Sequence, residues 1–319
     1  MMTKLLTLEQ ATVIHRVASA ACRMYLERGD GHAYDQVREA GRRAILIAMA
    51  DDLVFEWPDL VGAWTYGIVE DMFDGKRSLD NLDKIKEIIV ASALSYTEKG
   101  QACDAIDTFG THTLYKYESF SKNPPILPYL VNQATYIHDR QYRKDDITPF
   151  VVHPYRVAMW SALLCDGAVL PALVSIAHDF EEDCRDENRS TLSCVKNAVT
   201  SELGDDVWYN VWYNVQALTK NPSLKRNARV VDAAERILAA GNVAKACKMC
   251  DIFDNLLDLD ALDPKFAVTF VQERLYLIGV LLNLNEPAMW DCGSPLKFRW
   301  MSELIHAAIS NATATHMQS

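Results

Sequence analysis

Val169-Leu170-Pro171-Ala172-Leu173-Val174-Ser175-Ile176-Ala177-His178-Asp179-Phe180 decides how the chain is read. Its apolar positions recur at helical spacing, and the segment ends on two adjacent polar residues that a core helix has no reason to carry. Adjacent helical positions point about 100° apart, so one shared ligand accounts for His178 and Asp179 better than two unrelated core contacts do. Working outward, His153 lies twenty-five residues before His178, at a helix start and followed by Pro154. Asp251 closes the run Lys248-Met249-Cys250-Asp251 further on. Imidazole and carboxylate groups on separate helices can jointly hold one divalent ion. Mixed nitrogen and oxygen donors suit Mn, Fe, Co, Ni or Zn rather than the all-oxygen shell of Ca or the water-rich shell of Mg.

Helical periodicity continues along the chain and no stretch alternates cleanly with period two, so the expected fold class is all-α. Thr7 and Gln10 form a capping-box signature ahead of Leu8, Ala11, Ile14, Val17 and Ala18, and Gly29-Asp30-Gly31 ends that helix. Segments are expected over 36–57, 59–73 and 80–98, with turns at Trp57-Pro58 and Gly100, then over 129–140, 153–165, 168–184, 190–202, 205–218, 225–240, 242–259, 264–284 and 296–312. Three prolines fall within five residues in Lys122-Asn123-Pro124-Pro125-Ile126-Leu127-Pro128, which no helix interior tolerates. The expected organisation is therefore a helical N-terminal region over 1–124, a metallohydrolase domain over 125–285, and a C-terminal helix with a polar tail over 286–319.

The chain has 319 residues, half of them apolar, and a net charge of −11. That balance disfavours a nucleic-acid backbone as ligand, because such binding neutralises phosphates with Lys and Arg. A small anion remains compatible with it through a local basic pocket. No apolar run approaches the roughly 20 residues that a bilayer span needs, and no basic-then-apolar leader opens the sequence, so a cytoplasmic protein is expected. The eight cysteines are scattered and read as reduced thiols, with Cys247 and Cys250 as small core residues. Asp51-Asp52 and Glu70-Asp71 offer a possible second acidic site in the N-terminal region, which otherwise suits oligomerisation or a protein partner.

Four blocks carry a resemblance. They are His138-Asp139-Arg140-Gln141-Tyr142-Arg143-Lys144-Asp145, Thr148-Pro149-Phe150-Val151-Val152-His153-Pro154-Tyr155-Arg156-Val157-Ala158, His178-Asp179-Phe180-Glu181-Glu182-Asp183, and Lys248-Met249-Cys250-Asp251-Ile252-Phe253-Asp254-Asn255. In this order and spacing the chain resembles the HD-domain hydrolases of the RelA/SpoT type, including the small alarmone hydrolases, over roughly residues 126–285. The resemblance implies an HD-domain helical bundle and one divalent transition metal, Mn first, held by His153, His178, Asp179 and Asp251. It assigns Glu182 and Asp183 to orienting and deprotonating the attacking water, Arg143 and Lys144 to the nucleotide, with the arginine on the purine base, and Asn255 to the ribose. Cys184 and Phe150 depart from the pattern, where the family has threonine and tyrosine.

The residues support that assignment on their own chemistry. A bound metal acidifies water and polarises a phosphoryl oxygen, and Glu182 and Asp183 follow the His-Asp pair by one turn, within reach as a base. Arg143 and Lys144 supply a planar guanidinium and positive charge. Arg140, Lys220, Lys225, Arg226, Lys245 and Lys248 are further candidates to guide phosphate. The expected activity is removal of the 3′-diphosphate from ppGpp or pppGpp, without a synthetase domain. The alternatives are a phosphatase of NADPH, a dNTP or a modified nucleotide, or a non-catalytic module that senses a nucleotide or binds a partner.

Overall fold

Every residue of the helix Val152–Leu164 is buried, which makes it the axis of the molecule. A helix with no polar face must be covered on all sides. In the computed structural model five other helices do this. The structure describes all residues except 1–4, 28–32, 51–54, 74–78, 110–112, 114–115, 118–124, 185–188, 260–263, 283–291 and 318–319. The described helices run in order as α1 Leu8–Leu26, α2 Ala33–Met49, α3 Trp57–Phe73, α4 Leu79–Val90, α5 Tyr96–Thr108, α6 Leu127–Ile137, α7 Val152–Leu164, α8 Val169–Ala177, the single turn α9 Phe180–Asp183, α10 Arg189–Leu203, α11 Asp205–Leu218, α12 Arg226–Ala240, α13 Asn242–Leu256, α14 Pro264–Leu281 and α15 Pro295–Met317. The described residues contain no strand; Tyr142 and Pro149 form an isolated bridge. The fold is all-α, as the periodicity predicts.

α2, α8 and α13 lie along α7, and α1 and α15 touch it at its flanks. The α2 contact is close because Gly41 faces the ring of Tyr155, where a Cβ would lie 2.4 Å from Cδ2. Tyr155 is itself fixed, its hydroxyl donating to Val131 O at 2.6 Å and meeting the Thr135 hydroxyl at 2.6 Å. One continuous apolar core includes Ile14, Leu46 and Trp64 from before the proline-rich segment and Trp160, Ile176 and Phe253 from after it. At the far end, Lys297 of α15 is fully buried, and its ammonium donates to Leu163 O at 2.8 Å, closing the C-terminus of α7.

Several expected boundaries move. Thr7 and Gln10 do form a capping box. The segment expected over 80–98 is two helices, because Ser95 and Glu98 form a second capping box that starts α5. Gly100 then sits inside α5 with open space around it rather than in a turn. Pro58 occupies the first turn of α3, where its missing N–H costs nothing, so the break expected there falls earlier, after Met49. The last helix continues to Met317, leaving almost none of the polar tail. Gly29-Asp30-Gly31, Lys122 to Pro124, Asp51-Asp52 and the side chains of Glu70 and Asp71 lie outside the described residues. Among the described residues no helix is long and apolar enough to cross a membrane.

Candidate metal centre

Two helix ends and the flank of a third meet at one point. His153 stands in the first turn of α7, His178 follows the last residue of α8, and Asp251 faces them from α13. The helix expected over 168–184 breaks at the His-Asp pair: Asp179 has φ −97° and ψ 0°, and α9 starts after it. That turn brings two consecutive side chains to the same place, which an unbroken helix would hold about 100° apart.

Donor atoms of His153, His178 and Asp251 all lie within 4.8 Å of one another. Nε2 of His153 is 3.2 Å from Asp251 Oδ1 and 3.9 Å from Asp179 Oδ2. Nε2 of His178 is 3.2 Å from Asp179 Oδ2 and 3.9 Å from Asp251 Oδ1. The opposite nitrogens are committed elsewhere. Nδ1 of His178 donates to the carbonyl of Ser175 at 2.7 Å, and Nδ1 of His153 donates to the Asp254 carboxylate at 2.7 Å. With Nδ1 carrying the proton, Nε2 of each ring is the atom turned toward carboxylate oxygens, and in the neutral ring it presents a lone pair to them. A lone pair facing an anion is repulsive, and His178 Nε2 is buried without a hydrogen-bond partner. A cation between these atoms relieves both defects, and imidazoles fixed through their other nitrogen are what metal-binding histidines require.

The electrostatics carry the same message. Burial alone would lower the pKa of His178, yet Asp179 and Asp251 raise it to about 9, so the site calls for positive charge there. Burial also favours a protonated Asp251, but Lys248 and the two imidazoles outweigh it and hold the carboxyl well below its usual range. Lys248 Nζ occupies Oδ2, at 2.7 Å, and Oδ1, which also accepts from Asn255 Nδ2, faces the histidines. His153, His178 and Asp251, with Asp179 alongside, fit one divalent ion.

Behind this cluster, buried charges brace the ring of His153. Asp254, wholly buried, accepts from Arg156 Nε at 2.8 Å, Arg156 Nη2 at 2.9 Å and Trp160 Nε1 at 3.2 Å, besides His153. His15, Asp254 and Asp258 also have spacing suited to a metal. Arg156 and Arg143, however, already set two guanidinium charges against those two carboxylates, so this second group is a support rather than a cation site.

In front lies a cavity of about 520 Å³ whose wall includes Arg143, Lys144, Lys220, Arg226, Lys248 and Arg274. Arg143 Nη2 donates to Asn255 Oδ1 and Asp258 Oδ2, both at 2.8 Å, and Asn255 Nδ2 donates to Asp251 Oδ1 at 2.6 Å. The expected nucleotide residues Arg143 and Asn255 are thus wired to an expected metal ligand. Lys144 Nζ sits 3.7 Å over the ring of Phe266, its pKa lowered by burial and by Arg143, Arg274 and Arg226. The Glu182 carboxylate lines the cavity and accepts from Lys220 N and Nζ, both at 2.6 Å. Asp183 is not among the lining residues. Its Oδ2 lies 3.5 Å from His138 Nδ1, and burial together with Asp179 and Glu182 raises its carboxyl to about 6.

Of the other expected cations, Lys220, Arg226 and Lys248 line the cavity, whereas Lys225 and Lys245 do not, and the side chain of Arg140 is 87 % exposed. Cys247 and Cys250 are fully buried, and burial pushes the Cys247 thiol up to about 12. Sequence reasoning missed Asp254, Arg156, His15, Asp258 and the aromatic wall of Phe266 and Phe270. The i, i+3 spacing of Asp251 and Asp254 and the i, i+4 spacing of Phe266, Phe270 and Arg274 were the available signals. No protein-family model matches the chain, and no curated protein matches it.

Proposed function

We propose that the chain is a metal-dependent phosphohydrolase of purine nucleotides, of the HD type, with ppGpp or pppGpp as substrate and the 3′-diphosphate as leaving group. The observation that carries this reading is the convergence of two oriented imidazole lone pairs on Asp251 and Asp179 at the base of a cavity walled by cations. A divalent ion held there, Mn before Zn, Fe, Co or Ni, supplies Lewis acidity and makes water a better nucleophile at neutral pH.

The protein's own groups do the rest. Arg143, its guanidinium oriented by Asn255 and Asp258, offers a face on which a purine stacks, while Lys144, Lys220 and Arg226 bind phosphate oxygens. Glu182 orients water at the cavity edge. Asp183, with a carboxyl raised to about 6, takes a proton more readily near neutral pH than an ordinary aspartate does, and His138 lies behind it. The test is release of GDP and pyrophosphate from ppGpp by the Mn-loaded protein, with an EDTA control and Asp179→Asn alongside. Metal-dependent turnover lost in the variant is expected. Absence of turnover with metal bound overturns the substrate and directs the assay to NADPH, dNTPs and modified nucleotides. If those are also inert while a nucleotide binds, the reading becomes a non-catalytic sensor.

A further inference from the structure

The N-terminal helix reaches the nucleotide-binding side of the cavity through charges that the proposed mechanism does not use. His15 of α1 is 2 % exposed, and its Nε2 lies 3.2 Å from Asp258 Oδ1 and 3.9 Å from Asp254 Oδ1. One turn along, Ser19 Oγ accepts from Arg156 Nη1 at 2.5 Å. Asp258 lies two residues beyond the last residue of α13. Its Oδ2 takes Arg143 Nη2 at 2.8 Å, Arg143 Nε at 3.1 Å and Arg156 Nη2 at 3.3 Å, and its Oδ1 faces His15. One edge of the carboxylate therefore aims Arg143 into the cavity, and the other edge abuts the N-terminal helix.

We propose that α1 completes the binding site, with His15 as a positioning residue that fixes Asp258 and through it the guanidinium of Arg143. This rests on the reading of Arg143 as a nucleotide contact, and it gives the N-terminal region a task in that reading. His15 packs against the Oδ1 edge without a hydrogen bond, and without it the carboxylate, hydrogen-bonded at Oδ2 alone, is free to rotate about its Cβ–Cγ bond. Arg143 then keeps its charge but loses its fixed plane, which weakens stacking of a base more than attraction of a phosphate.

The test uses the full chain loaded with Mn, the variants His15→Phe, His15→Gln, Arg143→Ala and the double variant His15→Phe with Arg143→Ala, and GDP as probe. Solvent exchange of the Arg143 Nε–H, followed by NMR on the chain loaded with diamagnetic Zn and without nucleotide, reports the coupling directly. His15→Phe is expected to speed that exchange and to weaken GDP binding about tenfold, while His15→Gln, which keeps an N–H donor, stays within about threefold of the parent. In the Arg143→Ala background His15→Phe is expected to add less than about twofold, because its effect passes through Arg143. Unchanged Arg143 exchange in both His15 variants overturns the proposal, as does an equal loss of GDP affinity with and without Arg143. Faster exchange while Arg143→Ala leaves GDP binding intact upholds the coupling and refutes the nucleotide role of Arg143.

Discussion

Asp254→Asn is the perturbation with the most to lose, because one buried carboxylate serves both the stability of the fold and the aim of a metal ligand. The change is nearly isosteric and removes only the charge that two nitrogens of Arg156, one of His153 and one of Trp160 point toward. Arg156 is wholly buried, so its guanidinium cannot turn to water. Removing one partner of a buried pair costs about 3–5 kcal/mol, against about 1 kcal/mol or less for an exposed pair. Asp258 Oδ2, 3.3 Å from Arg156 Nη2, remains as partial compensation and places the loss near the lower end, at about 3 kcal/mol. His153 meanwhile loses the acceptor that fixes its Nδ1 proton, and loss of such an outer partner lowers metal affinity about 10- to 100-fold. Urea unfolding of the EDTA-treated protein measures the first effect, and calorimetric titration with Mn the second. Asp232→Asn, which removes a half-exposed partner of Arg236, is the control and is expected to cost about 0.5 kcal/mol. A loss for Asp254→Asn no larger than the control, with Mn affinity intact, refutes the reasoning. Replacing Arg156 and Asp254 together by Met and Leu restores most of the stability and none of the metal affinity, because it ends the unpaired charge and leaves His153 Nδ1 unsupported.

Gly41→Ala gains up to about 1 kcal/mol of helix propensity and meets the pinned Tyr155 ring, an overpacking cost of about 1–3 kcal/mol, so a net loss is expected in denaturant unfolding, with Mn binding unchanged. His138 has its pKa lowered to about 4 by burial, so below pH 6.5 the unfolded chain binds a proton that the folded chain refuses. Stability from this group is fully present above pH 6.5 and falls as pH drops toward 4, by up to about 3 kcal/mol; His138→Gln is expected to flatten that part of the curve. Lys297→Met leaves the Leu163 carbonyl at the end of α7 without its donor and is expected to cost about 1–3 kcal/mol in thermal unfolding, without loss of metal.

The site's first layer was legible because its residue types are expensive where they stand. A His-Asp pair ending an apolar run, and a histidine ahead of a proline, each asked for a partner, and the fold brings His153, His178 and Asp251 together with Asp179 beside them. The supporting layer was not legible, because its pairings cross great sequence distances. Arg156 joins Asp254 and Ser19, and nothing local in Tyr155-Arg156-Val157 separates a buried guanidinium from a surface one. What could have shown it is the helix as a whole: Val152 to Leu164 has no polar stripe, so its only cation had to be inside and paired. The helix starts at Ser95 and Trp57 were written in the sequence as a capping box and a first-turn proline, and were overridden by continuous apolar spacing. The break after Ala177 had no such mark. It follows from bringing both His178 and Asp179 to Asp251, a tertiary demand.

Equilibrium dialysis of the EDTA-stripped chain against Mn, read by metal analysis, tests the metal centre most directly. The geometry predicts one ion per chain, with affinity reduced more than about tenfold in His153→Ala, His178→Ala and Asp251→Asn and unaltered in Cys247→Ser. Binding that persists unchanged in the two histidine variants, or no specific binding by the parent chain to Mn, Zn, Fe, Co or Ni, contradicts it.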